Sequence, residues 1–126
     1  MKLYRVILPV RDIERAAAVY AGLLQTPGQR VSPGRHYFDC GGTILACYDP
    51  VADGDGEQGG WRQHPNQYCY FAVADLEAAL ARARDVGCTI VDGDIQRMPW
   101  GERMFWARDP FDNPISFVDE TTLFTG

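Results

Sequence analysis

"VRDIERAAAVY", residues 10–20, and "VADLEAALARA", residues 73–83, share one layout: the end of an apolar run, an aspartate, then apolar residues at helical spacing. Asp12 precedes Ile13, Ala16, Ala17, Tyr20 and Leu24, and Asp75 precedes Leu76, Ala79, Leu80 and Ala83. Steps of three and four lay each set along one stripe of a helix. Each aspartate is predicted to be an N-cap, because its carboxylate accepts from orphan amides of the first turn and suits the positive end of the helix dipole. Gly87 marks the C-terminal stop of the second helix.

Strands are predicted on both sides of each helix. Before them run "LYRVILPV" at 3–10 and "QYCYFAV" at 67–73. After the first come a short piece around Gln29 to Ser32, "RHYFDC" at 35–40 and "TILACYD" at 43–49, with Gly41-Gly42 as a tight hairpin turn. After the second come "CTIVDGDI" at 88–95, "RMFWARD" at 103–109 and "PISFVDE" at 114–120. Both halves therefore read β-α-β-β-β. Between them, residues 50–66 are rich in Gly, Pro and acids and read as a linker. Its "DGDGE" fails as a calcium loop, since Gln58 and His64 fall where such a loop needs glycine and glutamate.

The expected organisation is one domain over 1–126, with module one at 1–49, linker 50–66, module two at 67–120 and a tail at 121–126. A module with one helix leaves the other sheet face uncovered, so the copies are expected to face each other or a second chain. The fold class is α+β: two βαβββ modules forming a curved mixed sheet around a ligand cavity.

Composition sets the remaining bounds. A chain of 126 residues buries roughly two thirds of the surface its unfolded form exposes, enough for a core without disulfides or metal. The 46% hydrophobic and 23% charged content is that of an ordinary globular protein. The apolar run before Arg11 is too short for a signal peptide or a membrane span, which predicts a cytoplasmic protein with no membrane partner. Its formal net charge of -5 opposes nucleic-acid binding. Cys40, Cys47, Cys69 and Cys88 form no C-x-x-C pair and read as buried free thiols.

The duplication, the "LPVRDIERAAAVY" opening and "PWGERMFWARDPFDNPISF" at 99–117 together resemble the vicinal oxygen chelate superfamily, which groups glyoxalase I, bleomycin resistance proteins and extradiol dioxygenases. The likeness runs from Leu3 to about Glu120. The usual closing motif is D-P-x-G-N before an apolar strand; here Asp112 replaces the glycine, a residue that tolerates the left-handed conformation better than most.

The resemblance implies a divalent metal held by His or Glu on the inner sheet face. Counting back from Leu8 and Phe71 puts Arg5 and Tyr68 in the ligand slots, and the closing strands put Ser116 and Leu45 there, with Cys47 next on that face. A guanidinium has no lone pair to give and leucine has no donor atom, so no metal and no cofactor are expected. The two histidines, His36 and His64, do not repair the set: one opens a strand and reads as a packing residue, the other lies in the linker.

Without a metal, the resemblance implies a small-molecule-binding homodimer of the glyoxalase and bleomycin resistance type, sequestering an antibiotic-like or metabolic ligand. The candidate ligand residues are Arg5, Leu45, Cys47, Trp61, Tyr68, Trp100, Arg103, Phe105 and Ser116. Aromatic rings supply flat apolar area, and Arg5 favours an anionic or carbonyl-bearing ligand. Against this, Arg5 pairing with Asp39, Asp119 or Glu120 is the structural alternative. Phe105 and Trp106 are adjacent on a strand, so one of them faces the helix side. Two other functions stay open: a metal-dependent lyase or dioxygenase, and a metal-free isomerase or lyase using Tyr68 or Cys47.

Overall fold

The computed structural model describes residues 1–56 and 62–125, and divides the chain into two compact units, Met1–Gln63 and His64–Gly126. The first contains β1 (Arg5–Pro9), α1 (Ile13–Leu24), β2 (Gln29–Ser32), β3 (Arg35–Cys40) and β4 (Thr43–Tyr48). The second contains β5 (Cys69–Val73), α2 (Leu76–Asp85), β6 (Thr89–Arg97), β7 (Arg103–Arg108) and β8 (Pro114–Asp119). Each unit folds one mixed four-stranded sheet, in the orders β1-β4-β3-β2 and β5-β8-β7-β6. In each, the first strand runs parallel to the last and the others are antiparallel, so the expected α+β duplication is present.

Both helices begin where the aspartates place them. The Asp12 carboxylate accepts from the Arg15 amide at 3.1 Å and that of Asp75 from the Ala78 amide at 3.0 Å, contacts worth about 1 kcal/mol each. Helix α2 ends with Gly87 at φ 92°, its N–H donating to the Arg84 carbonyl while Cys88 N–H reaches back to Ala83. That pair of reverse bonds satisfies the last orphan carbonyls, and only glycine enters it without strain. Helix α1 instead stops on Gln25, a left-handed residue at φ 57° whose side chain donates to the Gly22 carbonyl.

Two connections set the register of the closing strands. Gly41 and Gly42, both at positive φ, join β3 to β4 in a two-residue turn that pairs Cys40 with Thr43 and Phe38 with Leu45. The link from β7 to β8 is longer and is built around Asp109, which is 4% exposed. Its carboxylate accepts from the main-chain N–H groups of Phe111 and Asn113 and from the Asn113 side chain. Asp112 sits in this turn at φ 66°, the left-handed conformation expected of it.

Leu8 and Val10 point to the α1 side of the first sheet, beside Phe38, Leu45 and Cys47, and all five are buried. The same side of the second sheet carries Phe117, stacked between Phe71 at 5.2 Å and Phe105 at 5.3 Å. His36 belongs to the first core. Its Nε2 lies 2.9 Å from the Pro27 carbonyl, which can only accept, so Nδ1 is left to take the Arg30 Nε–H.

The first part of the predicted linker is integral to the first unit. The Asp53 carboxylate accepts from Ser32 Oγ, the Gly34 N–H and Arg35 Nη1, at 2.8, 2.6 and 2.7 Å. Asp55 accepts from the Tyr48 hydroxyl at 2.6 Å, which holds that phenol's pKa above its ordinary value. Both aspartates of "DGDGE" are thus engaged by donors of their own unit.

Candidate functional site

Each sheet has one face under its helix and one that its own helix does not cover. Because side chains alternate along a strand, the ladder registers decide which residues share the uncovered face. In the first unit these are Arg5 and Ile7 of β1, Ile44, Ala46 and Tyr48 of β4, and Arg35, Tyr37 and Asp39 of β3. In the second they are Tyr70 of β5 with Tyr68 just before it, Ser116 and Val118 of β8, and Met104, Trp106 and Arg108 of β7.

On the first open face, Arg5 Nη1 donates to the Tyr37 hydroxyl at 2.8 Å, and its guanidinium carbon lies 5.5 and 5.6 Å from the ring centres of Tyr4 and Tyr37. The alternative bridge to Asp39 within the same unit does not form, and Asp39 accepts the Gly42 N–H instead. Arg35 lies 4.2 Å from the Tyr48 ring centre and is neutralised by Asp53. On the second open face, Tyr68 and Tyr70 have ring centres 6.1 Å apart, and the Arg108 guanidinium lies 5.8 Å from that of Tyr68. Ser116 is fully buried beneath this face, its hydroxyl donating to the Phe105 carbonyl at 2.9 Å.

Several sequence expectations separate here. Arg5, Tyr68 and Ser116 stand on open faces. Leu45 and Cys47, 4% and 0% exposed, lie on the α1 side, opposite to Arg5. The expected match of Leu45 to Ser116 is corrected by the ladders: Leu8 pairs with Cys47 and Phe71 with Phe117, so Ser116 corresponds to Ala46. A slip of one residue moves a side chain to the other face. Phe105 is the helix-side member of its adjacent pair, fully buried, and Trp106 takes the open face.

Arg103 also turns to the helix side, where it pairs with Glu77 of α2 and with Asp119 at 3.2 Å. The Asp119 carboxyl is held below its ordinary pKa chiefly by the Thr121 amide and hydroxyl, with Arg103 adding to it. Trp100 is 67% exposed in the turn between β6 and β7, its indole N–H donating to Glu102 at 2.6 Å. Trp61 lies outside the described residues. Tyr37, Tyr70, Trp106 and Arg108 escaped the candidate set; counting from the two-residue hairpin would have put Tyr37 opposite Ala46 and away from the core.

The donor chemistry of these positions does not suit a divalent cation. Arg5 offers only N–H donors, and the Ser116 hydroxyl is committed to a buried carbonyl. Among the described residues no group of three or more His, Cys, Asp or Glu side chains could hold a metal ion. Cys47 is sealed in the core, where it meets no solvent and serves poorly as a base.

Solved structures of similar fold cover nearly all of the chain. A glyoxalase/bleomycin resistance protein from Albidiferax ferrireducens T118 is 18% identical, with 91% of this chain and 95% of that one covered and a TM-score of 0.76. A glyoxalase-related enzyme from Fulvimarina pelagi is 14% identical, with 100% and 93% covered and a TM-score of 0.77. Lactoylglutathione lyase from Agrobacterium tumefaciens is 19% identical, with 95% and 94% covered and a TM-score of 0.70. At such identities the likeness establishes the fold. No curated protein sequence matches the chain. The family model described as Glyoxalase/Bleomycin resistance protein/Dioxygenase superfamily matches residues 2–117, nearly the whole chain, and the chain belongs to this superfamily.

Proposed function

We propose that this chain is a metal-free small-molecule-binding protein of the superfamily, working as a cytoplasmic homodimer that sequesters an antibiotic-like or metabolic ligand. The observation that carries the reading is the make-up of the open sheet faces. They are paved with tyrosine, tryptophan and arginine, Tyr37 and Arg5 in one unit and Tyr68, Tyr70, Trp106 and Arg108 in the other. Such side chains bind flat ligands by stacking and hydrogen bonding and supply no Lewis acid. Tyr70, 58% exposed on the second of these faces, supports an assembled state in which it is covered. Among the described residues no helix is long and apolar enough to cross a membrane.

Two measurements test the proposal. Metal analysis of untagged protein is expected to find no tightly held ion; near-stoichiometric zinc, nickel, manganese or iron surviving dialysis rejects it in favour of a lyase or dioxygenase. A thermal-shift screen across aromatic antibiotics and small acids is expected to find a stabilising ligand. At 100 times its Kd, a ligand binding only the folded state adds about 2.7 kcal/mol.

A further inference from the structure

The arginines of the two units are not treated alike. Arg30, Arg35 and Arg103 each meet a carboxylate, from Glu14, Asp53 and Asp119 respectively. Arg84 and Arg97 donate to the main-chain carbonyls of Gly93 and Gly101. Among the described residues, Arg5 and Arg108 have no carboxylate partner and rest on tyrosine rings. Acids outnumber bases in this chain, 17 Asp and Glu against 12 Lys and Arg, so carboxylates are not scarce. Both of these guanidiniums stand on open faces, and they do so from positions that do not correspond in the repeat: Tyr68 holds the place in the second unit that Arg5 holds in the first.

At Arg5 the geometry is the more complete. The Tyr37 oxygen accepts from Nη1, which leaves the phenol's own proton to be donated elsewhere. The remaining edge of the guanidinium keeps the paired N–H donors that fit a carboxylate in bidentate fashion. Alongside, Ile7 and Tyr37 flank the buried Ala46 in one cross-strand row, and the two larger side chains give a surface on which a flat apolar body can lie. We infer that the ligand of this protein is a planar aromatic anion, its carboxylate or similar oxyanion held by Arg5 and the Tyr37 hydroxyl and its ring resting on that row. The inference builds on the small-molecule reading above and narrows it to a chemical class. Arg108 beside Tyr68 offers the same pairing of cation and ring on the second unit.

The test uses two shape-matched probes, 2-naphthoate and 2-naphthamide, titrated calorimetrically into the full chain and into Arg5→Met and Tyr37→Phe variants. Wild-type protein is expected to bind the acid about tenfold more tightly than the amide, the preference that a charge-assisted pair of hydrogen bonds supplies. Arg5→Met is expected to erase that preference, weakening the acid more than the amide. Tyr37→Phe, which keeps the ring and so the packing, is expected to weaken the acid more than the amide. Equal binding of acid and amide by the wild type, or a preference unchanged in both variants, overturns the anion inference and leaves the small-molecule reading standing. Failure of both probes to bind the wild type removes the inference, and a screen without any stabilising ligand removes the broader reading as well.

Discussion

The Asp109 carboxylate spans its own turn, taking one hydrogen bond from the Asn113 main chain at 2.8 Å and another from the Asn113 side-chain amide at 3.0 Å. It takes a third from the Phe111 N–H, and both Asp109 and Asn113 are buried. This turn feeds β8, which pairs with both β5 and β7, so its geometry sets the position of Ser116. Asp109→Ala removes the acceptor of these three hydrogen bonds and is expected to cost about 3 kcal/mol in urea unfolding. Asp109→Asn keeps one acceptor oxygen and is expected to lose about half as much. An alanine variant as stable as wild type would show that the carboxylate does not organise the turn.

Asp112 occupies the same turn at φ 66° with its side chain exposed. A β-branched residue is poorly tolerated there, so Asp112→Val is expected to lower stability by about 2 kcal/mol. Asp112→Gly is expected to raise it by about 0.5 kcal/mol, since glycine enters that region freely but loses more entropy on folding. Thermal denaturation of the two variants, read against wild type, checks both signs.

How much of this was legible in the sequence depends on the type of signal. The helices were, because Asp12, Asp75 and Gly87 act locally and mark their own positions. The strands were too, nearly to the residue, because alternation and the Gly41-Gly42 turn are also local. The faces of the closing strands were not. A two-residue turn precedes β4 and a five-residue connection precedes β8, so the two modules lose step after their helices. Carrying Ser116 back onto Leu45 across that difference put a core residue on the open face. The α1 stop was illegible for another reason: Gln25 adopts the left-handed conformation without the glycine that usually signals it.

Phe105 and Trp106 offer a direct test of the face assignment. Phe105, fully buried against Phe117, is expected to cost about 3–5 kcal/mol when replaced by alanine. Trp106→Ala, on the open face, is expected to cost about 1 kcal/mol and to weaken ligand binding instead. Urea unfolding and ligand titration of the two variants separate the roles, and the opposite ranking would reverse the faces.

The thiols give a pH prediction. Burial pushes the Cys88 thiol up from 9.0 to about 12, with Asp109 adding to the effect, and burial also raises Cys40. At pH 8 both remain protonated in the folded protein, and Cys47 is fully buried, so alkylation of these three thiols by iodoacetamide is expected to be slow until the chain unfolds. The folded pKa of Cys88 lies above the unfolded one, so above about pH 9 the unfolded state binds fewer protons than the native state. Stability is therefore expected to fall as pH rises from 9 towards 12, and Cys88→Ala is expected to flatten that part of the profile. A slope unchanged in Cys88→Ala would assign it to other groups.

The clasp at Asp53 bears on how the protein can be dissected. A fragment cut after Tyr48 holds every strand of the first sheet yet discards the carboxylate that Ser32, Gly34 and Arg35 share. One ending at Gly56 retains it. Anyone shuffling the two halves, fusing duplicate copies or moving the chain ends by circular permutation has to treat residues 49–56 as cargo of the N-terminal piece, and place the scissors downstream of them.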